Sequence, residues 1–109
     1  MKLQILKQEH ELLSFQIRGF LSYCRSKNLS QVTIEGYDSI LRDFESFLSQ
    51  KSYFKVNQIN QSIISEYLQS LTNKEIINQA NKKVMRVGLS SFARRNRFSA
   101  IRVFFNYLL

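Results

Sequence analysis

The chain has 109 residues, 44% hydrophobic and 22% charged, which describes one small globular domain and excludes a disordered segment. A single cysteine, Cys24, rules out an internal disulfide and fits a reducing cytoplasm. No apolar run approaches the ~20 residues of a transmembrane helix. The formal net charge of +8 is lopsided: residues 1–71 carry eight Lys/Arg against seven Asp/Glu, and residues 72–109 carry eight against Glu75 alone. Such asymmetry points to a polyanion docking on one side, nucleic acid before membrane. A solvated basic face that keeps the chain soluble is the plainer alternative.

Residues 1–10 read as a lead-in segment without a signal-peptide apolar region, and residues 11–109 as the domain. A first helix is expected over 11–27, because Leu13, Ile17, Phe20, Leu21 and Cys24 recur on one face. Gly19 inside it allows another helix to approach closely. Asn28-Leu29 is the turn. Ser30 caps a second helix over 31–50, with Leu29 and Ile34 as a staple pair. Ile34, Tyr37, Leu41, Phe44 and Leu48 form its buried face, with Gly36 on the far side. Its outer arc of Gln31, Glu35, Asp38, Arg42 and Glu45 is net acidic, so the middle of this helix is a poor phosphate binder. Its N-terminal end is better placed, since Ser30, Gln31 and Thr33 flank unpaired backbone N–H donors.

Lys51 to Asn60 is a loop from which Tyr53, Phe54 and Val56 are expected to fold back on the core. Asn60 caps a third helix over 61–73, with Ile64, Tyr67, Leu68 and Leu71 inward. Residues 74–89 hold a helical period (Ile77, Ala80, Val84, Val87), yet Lys82, Lys83 and Arg86 would equally serve as a basic arm. Gly88 suits a helix C-terminus. Ser90 caps a fourth helix, Ser91 to Leu108, with Phe98, Ile101, Phe105 and Leu108 as its core face. Nothing reads as strand. The class is all-α, a bundle of four or five helices.

Catalytic and metal chemistry find no footing in this pattern. One histidine, His10, and one cysteine cannot assemble a zinc set, and Cys24 falls on an apolar stripe. No glycine-rich phosphate loop is present, and no cofactor is expected. The carboxylates Glu35, Asp38 and Glu45 lie on an outer helix face, where solvation is the default. The signal is the fourth helix. Arg95, Ser99, Arg102 and Asn106 share one stripe, Arg97 flanks the core, and Arg94 sits in the first turn beside Ser91. Arginines reach phosphates or guanine edges, and Ser and Asn adapt to neighbouring groups. A solvated face, with Arg97 and Arg102 laying their stems on the core, is the alternative.

Four pieces in order carry a resemblance: Leu29-Ser30-x-x-Thr33-x-x-x-Tyr37; Leu41-x-x-Phe44-x-x-Phe47-Leu48; Ile59 with Ile64, Tyr67, Leu68 and Leu71; and Gly88-Leu89-Ser90 followed by Arg97-Phe98-Ser99-Ala100-Ile101-Arg102-x-Phe104-Phe105-x-Tyr107-Leu108. Over about residues 12–109 the chain resembles the core-binding domain of phage-integrase-type tyrosine recombinases. The resemblance implies a SAM-like four-helix domain forming half of a C-shaped clamp on duplex DNA, with the second and fourth helices facing the major groove. By position it selects Ser30, Gln31, Thr33, Arg94, Arg95, Arg97, Ser99 and Arg102; Lys82, Lys83, Arg86 and Ser91 join them as candidates from the residues alone. It further implies that the catalytic Arg, Lys, His-x-x-Arg and nucleophilic Tyr belong to a C-terminal domain expected to begin where this chain ends. Tyr107 matches a core aromatic position of that family, so the chain alone is expected to bind DNA without cutting it. The isolated domain is expected to be monomeric and cytoplasmic, meeting other recombinase protomers only on DNA. A helical adaptor offering its basic face to an acidic protein remains the second reading. A helix-turn-helix repressor fits less well, because no short turn precedes Ser90.

Overall fold

A computed structural model describes residues 12–73, 75–77 and 80–109, with side chains left aside at 73, 75–77 and 84–87. The lead-in residues 1–10 and His10 lie outside that description. The elements are α1 (Leu13–Ser26), α2 (Gln31–Gln50), a 3-10 turn (Val56–Gln58), α3 (Gln61–Ser70), a 3-10 turn (Leu71–Asn73), β1 (Glu75–Ile77), β2 (Val84–Val87) and α4 (Ser91–Leu108). The described residues form the expected helical bundle, with a small hairpin between its last two helices.

Among the described residues, three of the four α-helices begin on caps legible in the sequence. Ser30 Oγ accepts from the Thr33 N–H, Asn60 Oδ1 from Ile63, and Ser90 Oγ from Ala93. Each side chain thereby satisfies an N–H that the first helical turn cannot pair. The start of α1 has no side-chain cap. The loop after α2 supplies one instead: the Phe54 carbonyl accepts from the Leu13 N–H at 2.8 Å, and Leu12 pairs with Lys55 as an isolated antiparallel bridge. Phe54 is consequently held by its backbone and leaves its ring exposed, against expectation, while Tyr53 and Val56 pack on the core.

Two helices close with Schellman geometry without glycine. After α1, Asn28 takes φ 57° and the Leu29 N–H reaches the Cys24 carbonyl; after α2, Ser52 takes φ 63° and Tyr53 reaches Leu48. Leu29 itself stays exposed, so the staple with Ile34 is slight.

The core is built where α1, α2 and α4 meet. Leu13, Ile17, Phe20, Leu21 and Cys24 of α1 are all buried, as are Ile34, Leu41, Phe44 and Leu48 of α2. Phe20 is the hub: its ring lies 5.5 Å from Phe104 edge-on, 5.6 Å from Tyr37 and 5.4 Å from Tyr107. Helix α3 is rotated slightly from expectation, with Ile63, Tyr67 and Leu71 inward and Ile64 and Leu68 only partly covered. Gly36 is exposed yet does not face away from the bundle, since it lines a groove toward α4.

Residues 74–89 depart furthest. Within them, Glu75–Ile77 and Val84–Val87 form an antiparallel pair in which Glu75 pairs with Val87, Ile76 with Arg86 and Ile77 with Val84, the register slipping after Ile76. The β-branched Ile76, Ile77, Val84 and Val87 favour this over helix. Gly88 does need positive φ (85°), but it ends a strand. It sits against the Thr72 backbone carbonyl, and the next N–H, of Leu89, donates to the Leu71 carbonyl at 3.0 Å. That junction ties the hairpin's exit to the end of α3 and sets the start of α4.

Candidate nucleic-acid interface

Helix α4 buries Ala100, Ile101 and Phe104. Phe98, expected in the core, is 44% exposed, and Phe105 and Leu108 are only partly covered. The buried face is therefore turned by roughly 70° from the expected stripe of Phe98, Ile101, Phe105 and Leu108. Arg97 moves inward with that turn. Its Nη1 donates to Asp43 Oδ2 of α2 at 2.9 Å and to Tyr67 Oη of α3 at 2.9 Å, and Tyr67 donates to the same carboxylate oxygen at 2.6 Å. The Arg97 side chain is 20% exposed. A guanidinium so engaged ties three helices together and offers less to an outside anion than its neighbours do. Burial first, and the hydrogen bond to Asp43 second, push the Tyr67 hydroxyl well above the ordinary tyrosine range, so it stays a donor.

The rest of the stripe faces out. Arg95, Ser99, Arg102 and Asn106 are exposed. Ser99 and Asn96 border a groove between α4 and α2 whose other wall holds Val32, Thr33, Gly36, Tyr37 and Ile40. Around the helix, Asn96 and Ser99 also line a shallow depression with Arg95 and Phe92. Arg95 then borders a third groove, between α4 and α3, with Ser91, Arg94, Phe98, Leu68, Gln69 and Ser65. One continuous surface thus joins Thr33 to Ser99, Arg95, Ser91 and Arg94. Arg94 is partly covered, as its first-turn position suggests, and its Nε is buried without a hydrogen-bond partner.

The start of α2 is less free than its sequence implies. Ser30 donates to Thr33 Oγ1 at 2.8 Å besides capping, and Gln31 donates to Glu35 at 3.2 Å. Arg42 is held by Asp38 and Glu45, so the one cation on the outer arc of α2 is engaged and the arc stays net acidic. Lys82 and Lys83 are exposed in the loop between β1 and β2, where Lys82 takes φ 59°. Arg86 lies in β2 and its side chain is outside the described residues.

The sequence reading passed over Asn96, Val32, Phe92 and Val103, all of which line this surface. Asn96 was recoverable, because it precedes Ser99 by three residues and shares its face. Asp43 was also passed over; its place beside the buried Phe44 is the signal that it points toward a helix partner.

A family model for the phage integrase N-terminal SAM-like domain matches residues 17–109. The chain belongs to that family. Among curated proteins and solved structures, nothing matches it. This phage integrase SAM-like domain holds, among its described residues, no group of three or more His, Cys, Asp or Glu placed to bind a metal. No helix among them is long and apolar enough to cross a membrane. Burial pushes the Cys24 thiol up from its ordinary pKa, as befits a core group.

Proposed function

We propose that the chain is the DNA-binding core-binding domain, spanning about residues 11–109, of a site-specific tyrosine recombinase or integrase. It clamps the recombination half-site with α4 and the first turn of α2. Arg95 and Arg102 engage phosphates or guanine edges, Arg94 and Ser91 approach from the helix start, and Thr33 and Ser99 face the duplex across the α2–α4 groove. Lys82, Lys83 and Arg86 add a basic contact from the hairpin. Strand cleavage and exchange belong to a C-terminal catalytic domain, and this domain contributes binding alone. Its partners are duplex DNA and, on that DNA, other recombinase protomers; it works in the cytoplasm.

The observation that carries this reading is the continuous surface from Thr33 through Ser99 to Arg95, whose α4 side belongs to the third of the chain that holds nearly all the excess charge. On α4, Arg95 and Arg102 are exposed, while the one arginine on the outer arc of α2, Arg42, is held by Asp38 and Glu45. Charge reversal Arg102→Glu should weaken duplex binding by more than about ten-fold, since it replaces a phosphate-attracting charge with a repelling one. The matched reversal Arg18→Glu on α1 should have little effect. Equal losses from both would reduce the interface to net charge.

The adaptor reading keeps one specific support. The α3–α4 groove sets Leu68 and a 44%-exposed Phe98 beside Arg94 and Arg95, a combination that suits an acidic, apolar peptide.

A further inference from the structure

Helix α4 has two apolar faces of similar quality. One is centred on Phe98 and Phe105, the other on Ala100, Ile101 and Phe104; the second is buried, while Phe98 is exposed and Phe105 only partly covered. Apolar area alone does not set the rotation, because this rotation leaves the large Phe98 ring exposed. What separates the faces is polar. Turning α4 to bury Phe98 would carry Arg97 away from Asp43 and Tyr67 and break both hydrogen bonds by which α4 joins the Tyr67–Asp43 pair of α3 and α2.

We propose that Arg97, Asp43 and Tyr67 form a positioning lock that fixes the rotation of α4, and through it the direction of the DNA-facing stripe. The proposal rests on the DNA-binding reading. Arg95 and Ser99 stand about 160° around the helix from Arg97, and Arg102 about 140°. Anchoring the inward residue therefore aims the outward ones. Partly buried polar clusters of this kind add little stability over apolar packing, but they select one arrangement among near-equals. Arg97 acts here through the residues it orients, and its own contact with the nucleic acid is secondary.

The two roles give opposite signs in one experiment. A duplex is first selected from a random pool by the wild-type chain, and affinities are measured for it and for a scrambled duplex. Asp43→Asn raises the net charge by one and leaves Arg97 without its carboxylate. If Arg97 is a positioning residue, the ratio of selected to scrambled affinity falls by about five-fold or more, while scrambled binding holds or tightens with the added charge. If Arg97 is a phosphate contact restrained by Asp43, both duplexes bind more tightly and the ratio is unchanged, which overturns the proposal. Tyr67→Phe keeps the core ring and the net charge, and should lower the ratio in the same direction with far-ultraviolet circular dichroism unchanged. An unchanged ratio in a folded Tyr67→Phe protein counts equally against the lock. Arg95→Ala and Arg102→Ala separate the two levels. Loss of affinity there with an intact Asp43→Asn ratio removes the lock and spares the interface. A wild-type chain that selects no duplex removes both.

Discussion

Tyr107 of α4 lies over Gly19 of α1: a Cβ on that glycine would stand 3.2 Å from the tyrosine hydroxyl. The Tyr107 ring also rests 5.4 Å from Phe20 and 5.1 Å from Tyr23. The absent side chain is thus what brings the two helices together. Gly19→Ala should be near neutral, because the helix gains up to ~1 kcal/mol in propensity while the flexible end of Tyr107 shifts slightly. Gly19→Val should cost ~1–3 kcal/mol by overpacking the seam. Urea denaturation of both variants checks this; a valine as harmless as alanine would mean that Tyr107 is not held there.

Gly88 sits at φ 85°, where L side chains are strained, and an added Cβ would collide with the Thr72 carbonyl oxygen. Backbone cannot yield as a side-chain tip can. Gly88→Ala should therefore destabilise by more than ~1 kcal/mol, a lower limit set by the left-handed conformation alone. The same substitution at Gly36, which has nothing within 4 Å of its Cβ position, should stabilise by ~0.5–1 kcal/mol. Thermal melts of the pair give the contrast directly.

The raised pKa of Tyr67 makes stability depend on pH in one direction. Below the ordinary tyrosine value of about 10, folded and unfolded chains both keep the proton, and the group adds no slope. Above it the unfolded chain gives the proton up while the folded chain retains it. Stability then falls with rising pH, by at most one proton's worth, ~1.4 kcal/mol per pH unit. Tyr67→Phe should flatten that alkaline limb relative to wild type. Parallel limbs for the two proteins would show that Tyr67 ionises as readily folded as unfolded.

The fold was legible wherever a local signal decided it. Ser30, Asn60 and Ser90 place the starts of α2, α3 and α4, and the α1 and α2 stripes match the buried residues. The hairpin was not legible, because Ile77, Ala80, Val84 and Val87 also fit a helical period and no glycine or proline marks the turn. Lys82 supplies the left-handed residue that glycine would ordinarily announce. The facing of α4 was missed for a different reason. Its aromatic residues offer two stripes, and the choice between them is made by Asp43 and Tyr67, 54 and 30 residues away from Arg97 in sequence. Of the candidate interface, the exposure of Arg95, Ser99 and Arg102 follows from the sequence pattern, whereas the place of Ser99 beside Thr33 and the inward Arg97 required the tertiary structure.

The proposed interface is an exposed arginine stripe on α4 that holds duplex DNA by its phosphates. Its most direct measurement is the dependence of duplex affinity on salt, for the wild-type chain and for the Arg95→Ala/Arg102→Ala variant. With about four to six phosphate contacts, log affinity should fall against log salt with a slope near −4 to −5, and the variant should lose about 0.9 of slope for each arginine that met a phosphate. A wild-type slope near zero, or a variant that binds with the same affinity and the same slope, would contradict the account.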